Sequence, residues 1–423
     1  VLIYEYISGG GFADHPSLPA ISSEAYAMLS ALLKDFSYNA NCETFTALDR
    51  RIAQSIEPTT TGKLARIASN DELETSLRSA LSEVDAALVV APETDGILSR
   101  MTGIVEEVGN VVLLGSSSNS VRRFSDKKNA IALAKSAGVS VPETISVSVD
   151  EGETEMYDTA RKIGFPVIVK PQDGAGAEGV FLVSNRDDLD STLKIARGEK
   201  LGKRLLMQEY VKGIDASVSA LVSKNGVPLP LSMNRQLIEL KPPSEASTYR
   251  GGYTPFHHPL EREAFDNSCK IIESVKGLRG YVGIDFVLTE EKPVFMEVNA
   301  RITTSYAGLY RILRTDSRKG VANAITDAAM NDKLPSHVEL NGYASYSKFK
   351  MKPDIKINKD MIDVLSNLEY VESPPLPENE GGMEAFLTGE GNSLDEALAA
   401  KSRNEKKFDM IARKFMEPLP KEH

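Results

Sequence analysis

The chain has 423 residues, 41% hydrophobic and 26% charged, with a formal net charge of -11. That length and balance predict two or three globular domains with a sizeable core, and the acidic excess argues against a nucleic-acid coat or a binder of anionic membranes. Two cysteines, Cys42 and Cys269, lie far apart, which excludes a disulfide framework or a thiolate metal cluster and fits the reducing cytoplasm.

VLIYEYI (1–7) reads as a strand ending in Ser8-Gly9-Gly10-Gly11, and residues 22–33 have helical periodicity. DAALVVAP (85–92) and VVLLG (111–115) are further buried strands. Strands alternating with helices predict an α/β domain with a parallel sheet, whose ligands sit beyond the carboxyl ends of the strands. The loops 8–11 and PETDG (92–96) lie at such ends, so Ser8 and Gly9 are candidate substrate contacts. SSSNSVRRFSDKK (116–128) is a polar link into a helix that ends at Gly138. Beyond it, strand signals become dense: VIVKP, GVFLVS, RLLMQEYV, ASVSALVS, GYVGIDFVLT and PVFMEVN, with helices at 187–197, 261–275 and 320–331. This part predicts an α+β domain. From residue 335 short strands, a Pro/Gly-rich loop (373–382) and a helix capped by Ser393 predict a small α+β subdomain. The expected domains are 1–123, 124–334 (divided at 204/205) and 335–423. No uninterrupted apolar run approaches the length of a bilayer span.

KPQDGAGAEGVF (170–181) carries Gly174, Gly176 and Gly179 in a G-x-G-x-x-G pattern. A dinucleotide turn would run into a helix, but VFLVS is a returning strand. A kinase loop would be followed by its lysine, but Lys170 precedes this one. What remains is a glycine hairpin whose backbone N–H groups can approach phosphate, with Lys170 as a point charge on its entry strand.

GIDFVLTEEKPVFMEVNARITTS (283–305) is a second constellation. Asp285 lies on one strand; Glu297 and Asn299, two apart on the next, point to one face. Hard oxygen donors converging on one face suit Mg²⁺, completed by phosphate oxygens and water. Arg301 continues the period and is placed to stabilise transferring charge.

The ordered set resembles the ATP-grasp superfamily: S-D-K at Ser125-Asp126-Lys127, then Lys170, the glycine hairpin, QEYVKGID (208–215), Asp285, and Glu297-x-Asn299-x-Arg301. The resemblance spans roughly residues 124–307. It implies that Lys127 and Lys170 contact ATP phosphates, with Lys128 as the alternative if the register is off by one. It further implies that Glu209, Tyr210 and Val211 bind adenine, Asp215 binds ribose, and Asp285, Glu297 and Asn299 hold Mg²⁺, with Mn²⁺ as a substitute. Arg301 would stabilise an acyl-phosphate transition state, making Arg301 and Lys170 the catalytic pair. The implied reaction is ADP-forming ligation of a small carboxylate to an amine. An ATP-grasp ligase for other amino acids or peptides is one alternative, and a nucleotide sensor with an inactive grasp domain is another; the sensor predicts damage at the catalytic end, and none is present. A phosphotransferase stopping at a phosphorylated product is a third reading.

NRQ (234–236), YRGGYTP (249–255) and ITTS (302–305) supply candidate substrate contacts: Arg235 as a carboxylate clamp, Asn234, Gly251 and Gly252 in an expected flexible segment, and the hydroxyls of Thr303 and Thr304. His257 and His258 have no partner nearby in sequence and read as a surface pair. EYISGGG, APETDG, NRQ, YRGG and NARITTS together resemble the tyramine–L-glutamate ligase group of methanofuran biosynthesis, over most of the first 310 residues. That group would activate the γ-carboxylate of glutamate for attack by tyramine. Expected partners are small molecules, in a cytoplasmic protein, with a homo-oligomer compatible and neither nucleic acid nor membrane.

Overall fold

The computed structural model describes residues 1–54, 56, 62–150, 152–172, 179–198, 201–351, 358–377 and 382–415. Strand Leu2–Glu5 pairs in parallel with Ala86–Val90, which pairs with Val112–Leu113. A parallel bridge from Leu2 to Phe45 brings the pair Thr46–Asp49 and Leu64–Ile67 to the other edge. Both faces are apolar, so both are covered. Leu2, Tyr4, Ala87 and Val89 pack with helices Asn70–Leu81 and Ile97–Val108, while Ile3, Leu88 and Val90 pack with helix Ser22–Phe36.

Residues 118–136 form two helices, Ser118–Ser125 and Lys127–Ser136, where the sequence suggested one. Asp126 interrupts them because its extended backbone and side chain cap the second helix, accepting from Asn129 N at 3.1 Å. A four-stranded antiparallel sheet follows, ordered Thr144–Ser148, Arg204–Glu209, Val167–Pro171, Phe181–Val183. It has its own core, including Met156, Val169, Leu189 and Met207. The expected division at 204/205 therefore cuts a strand. Arg204–Glu209 is held on both sides by this sheet, and the chain crosses to the next one at residues 210–213.

The third sheet has eight strands in the order Pro293–Asn299, Gly280–Leu288, Ile214–Val222, Pro228–Glu239, Thr248–Thr254, Tyr343–Lys350, Met383–Gly391, Val371–Pro377. One face packs on helix Glu261–Glu273 through Ala216, Val218, Met233 and Ile284. The other meets helices Ser22–Phe36, Tyr306–Ile312 and Ala322–Asn331 through Leu221, Tyr281 and Tyr346. The expected C-terminal unit is thus not a separate sheet. Its strands continue this one by pairing with Thr248–Thr254, which would otherwise present an open edge. Only its distal part has a core of its own, around Met361, Leu365, Leu387 and Phe408.

YRGGYTP, expected as a flexible segment, is mostly inside that same strand. Its glycines allow close strand approach. Gly251 has φ +114° and a Cβ there would lie 2.1 Å from Tyr346 O; a Cβ on Gly252 would lie 2.1 Å from Arg235 O.

A buried ionic knot joins the first domain to the eight-stranded sheet. Glu372, 0% exposed in its side chain, accepts from Lys34 Nζ at 2.9 Å, Tyr310 OH at 2.7 Å and Arg311 Nη2 at 2.6 Å. Burial alone would raise its carboxyl, but Lys34 and Arg311 hold it below its ordinary range. Glu372→Ala removes the acid that Lys34 and Arg311 share, leaving Arg311 only Glu390 at 2.6 Å, and is expected to cost about 3 kcal/mol, read as a lower urea midpoint at an unchanged slope.

Candidate functional site

Lys127 is the first residue of its helix and is buried, whereas Lys128 is exposed, so the first register places the lysine inward. Helix and glycine hairpin are tied together: Lys127 N donates to Gln172 O at 3.2 Å, and Gln172 Nε2 donates to Asp126 Oδ2 at 3.1 Å. Lys170, on strand Val167–Pro171, is buried in the same place. Burial, with the Lys127 charge alongside, brings its ammonium down to about 8, although Glu297 and Asp285 oppose the shift. Gly174 and Gly176 lie outside the described residues; Gly179 has φ +70° and sits against Pro171.

The acid face comes from strand register. Asp285 stands directly opposite Glu297, and Gly283 opposite Asn299. Asn299 Nδ2 donates to Asp285 Oδ2 at 3.1 Å, and Gln236 Nε2 donates to Asp285 Oδ1 at 3.1 Å. Lys127 Nζ stands 3.5 Å from Glu297 Oε2. Burial and the adjacent Glu297 push Asp285 well above the ordinary carboxyl range. Glu297 is buried too, yet Lys127 and Lys170 hold it low. Two carboxylates this close favour a shared proton or a cation between them. Among the described residues no group of three or more His, Cys, Asp or Glu is arranged to hold a metal ion. Two carboxylates and an amide fit Mg²⁺, which takes few protein ligands and completes its shell with phosphate and water.

Arg301 has a partner that sequence reasoning missed. Its Nε donates to Glu93 Oε1 and its Nη2 to Glu93 Oε2, both at 2.9 Å, with both side chains largely buried. Glu93 belongs to PETDG, at the carboxyl end of Ala86–Val90, so the loop flagged as a ligand site reaches across to the second domain. Burial disfavours the Arg301 charge, but Glu93, then Glu297 and Asp285, more than restore it. A small cavity between them is lined by Glu93, Phe124, Ser125, Lys127, Glu297 and Asn299. A wider groove of about 870 Å³ over helix Ile97–Val108 adjoins it at Ser125.

Other expected residues fall differently. Alternation along Pro228–Glu239 places Gln236, not Arg235, toward Asp285; Arg235 Nη1 donates to Asp215 O at 2.6 Å, with Asp215 Oδ2 at 3.9 Å. Arg235 is therefore engaged with the expected ribose acid, whose carboxyl burial raises and Arg235 lowers. Asn234 is fully buried, its Nδ2 donating to Ser217 Oγ at 3.1 Å and Ser219 Oγ at 2.9 Å. Thr303 Oγ1 meets Tyr281 OH at 3.1 Å, and Thr304 Oγ1 donates to Glu24 Oε2 at 3.4 Å. Gly252 shares a register row with Gln236 and Tyr346, so it is on the acid side of the sheet; Gly251, one residue earlier, is not. Ser8 is buried, because its hydroxyl and N–H both donate to the buried Glu5 carboxylate, at 2.5 and 2.7 Å. Gly9 makes room for the Tyr4 ring, 2.6 Å from where its Cβ would be. Glu209 ends the strand Arg204–Glu209, and Tyr210 and Val211 begin the crossing between sheets; Glu209 and Tyr210 are exposed, and Glu209 Oε2 accepts from Glu143 N at 3.1 Å. His257 is exposed and pairs with Glu261 at 3.2 Å.

The Lys170 ammonium gives a pH prediction. Below about pH 8 it carries its charge; above, it loses it. ATP affinity should therefore weaken as pH rises through 8 in direct titrations, and Lys170→Arg should flatten that dependence, because a guanidinium stays charged.

A family model for the ATP-grasp domain matches residues 124–305, and one for the pre-ATP-grasp domain matches residues 42–121. The chain is similar to the tyramine–L-glutamate ligase of Methanocaldococcus fervens, 28% identical over 80% of this chain and 97% of that protein. The enzyme of the same name from Methanocaldococcus jannaschii is also 28% identical, over 80% of this chain and 92% of the relative. In fold it is similar to the phosphoribosylamine–glycine ligase of Thermotoga maritima, with a TM-score of 0.66 at 16% identity over 96% of this chain and 97% of that one. Among the described residues no helix is long and apolar enough to cross a membrane. The two matched regions take in more than half of the sequence, and the chain belongs to the ATP-grasp superfamily, as an ATP-dependent carboxylate–amine ligase.

Proposed function

We propose that the enzyme joins the γ-carboxylate of L-glutamate to the amine of tyramine, consuming ATP with Mg²⁺ and releasing ADP and phosphate. The observation that carries this choice of substrates is the alignment with tyramine–L-glutamate ligases along 97% of a relative's length. In this reading a γ-carboxylate oxygen attacks the γ-phosphorus and ADP leaves. The amine nitrogen then attacks the acyl carbon, phosphate departs, and the amine loses a proton. Phosphorylation converts a poor leaving oxygen into a good one, so the protein's work is positioning and charge neutralisation.

Lys127, Lys170 and the loop of Gly174, Gly176 and Gly179 hold the phosphates; residues 209–211 take adenine and Asp215 the ribose. Asp285, Glu297 and Asn299 would hold Mg²⁺, which when bound offsets phosphate charge. Arg301, oriented by Glu93, faces the charge that develops on the transferring group. The test is an ADP-release screen of amino acids crossed with amines, followed by product mass. Tyramine with L-glutamate should stand out. A different pair standing out would replace these substrates while leaving the chemistry in place.

A further inference from the structure

Beyond the phosphate end, the eight-stranded sheet carries a second set of charges facing the first domain. Lys348, on strand Tyr343–Lys350, forms an ion pair with Glu24 in the first turn of helix Ser22–Phe36 and lies 3.8 Å from Glu384 Oε2. Glu384 is itself buried and accepts from Ser23 Oγ at 2.7 Å. Thr304, three residues past Arg301, donates to Glu24, so one turn of chain links this pair to the catalytic end. The Tyr249 ring packs against the apolar cluster that contains Tyr346, and burial, then the Tyr346 phenol and the carboxylates of Glu24 and Asp285, raise its phenol. Gly252 shares a register row with Gln236 and Tyr346 on the same face, where Arg235 O and the Tyr346 hydroxyl already occupy the place of a Cβ. Farther along, the fully buried Asn234 directs an Oδ1 that has no donor.

We propose that Glu24 and Lys348 form the subsite that reads the α-ammonium and α-carboxylate of the amino-acid substrate. The inference rests on the ligase reading above and adds to it the part of the substrate that does not react. An ammonium–carboxylate pair is the electrostatic counterpart of an amino-acid zwitterion. Inserting the zwitterion lets Glu24 exchange the lysine for the substrate ammonium and Lys348 exchange the glutamate for its carboxylate, with no new unpaired charge. The pair keeps partial access, with the acid Glu24 14% and Lys348 20% exposed, whereas Glu372, the acid of the knot that holds the same domains together, has none. A site built this way disfavours analogues that lack either group, because Glu24 then loses its cation, or Lys348 keeps only the more distant Glu384 at 3.8 Å in place of a directly paired carboxylate.

The test compares L-glutamate with glutarate, which lacks the α-ammonium, and γ-aminobutyrate, which lacks the α-carboxylate, each with tyramine. Wild type should prefer L-glutamate over both in kcat/KM by about a hundredfold or more. Lys348→Met should raise the KM for L-glutamate by a similar factor and leave γ-aminobutyrate unaffected; Glu24→Gln should do the same with glutarate as the unaffected analogue. The KM for ATP should not move in either. The combined exchange Glu24→Lys with Lys348→Glu keeps an ion pair between the domains but reverses its direction. It should stay folded by thermal melting and still lose L-glutamate. Equal slowing of all three compounds, or an unchanged KM for L-glutamate, overturns the proposal. If wild type releases no ADP with any pair, the ligase reading fails separately. Calorimetric titration of L-glutamate then decides: binding lost in both variants supports the subsite, and absent or unchanged binding overturns it.

Discussion

Glu297→Gln is expected to lower amine-dependent ADP release by about a thousandfold while the fold survives. The substitution keeps shape and removes a carboxylate charge that faces both lysines, with Lys127 Nζ at 3.5 Å. Three consequences share that cause. The cation site loses an anionic ligand opposite Asp285. Asp285, relieved of its neighbour's charge, returns toward the ordinary carboxyl range. Lys170, which Glu297 helps to keep protonated, titrates lower than about 8. The weakening of ATP affinity should therefore begin at a lower pH in Glu297→Gln than in wild type. A variant with full activity and an unmoved pH dependence would show that Glu297 does not belong to the site.

Arg301→Ala is expected to reduce both activity and stability. Loss of the guanidinium from the transferring group should cost about a hundred- to a thousandfold in kcat. It also strands the buried Glu93, at a cost of about 3–5 kcal/mol in unfolding free energy. Adding Glu93→Gln to Arg301→Ala should return most of the stability and none of the rate, since the stranded charge is gone but so is the group that acts. Arg301→Lys should keep the charge and lose the two-pronged geometry, giving an intermediate rate. Recovery of the rate in the double variant would mean that Arg301 serves only to neutralise Glu93.

The parts of the site legible in sequence were those whose spacing is set locally. Glu297 and Asn299 are two apart on one strand, and a strand puts them on one face whatever surrounds it. The lysine before the helix and the lysine before the glycine hairpin were legible in the same way. What pairs across strands was harder to read. NRQ offered Arg235 as the conspicuous charge, but the face it takes depends on register, and the register turned Gln236 toward Asp285. Glu93 was hidden because an acid after a strand has no visible partner until a residue more than two hundred positions later folds onto it. The glycines of YRGG suggested mobility; they permit strands to approach closely, a distinction that only the neighbouring backbone makes.

The domain layout shows the same limit. A parallel α/β unit followed by antiparallel hairpins was readable from pattern. That the C-terminal strands would complete the preceding sheet was not, because edge pairing is a choice between strands far apart in sequence. The division at 204/205 failed for a related reason: RLLMQE reads as a strand with either neighbour, and only its pairing with Val167–Pro171 assigns it to the first subdomain.

A substrate carboxylate activated as an acyl phosphate over the Asp285, Glu297 and Arg301 face passes one of its own oxygens to the phosphate. The most direct measurement follows isotopically labelled oxygen in the γ-carboxylate of L-glutamate during turnover with tyramine and ATP. One labelled oxygen is expected in each inorganic phosphate released, in step with ADP and amide product. Unlabelled phosphate accompanying amide formation would contradict it.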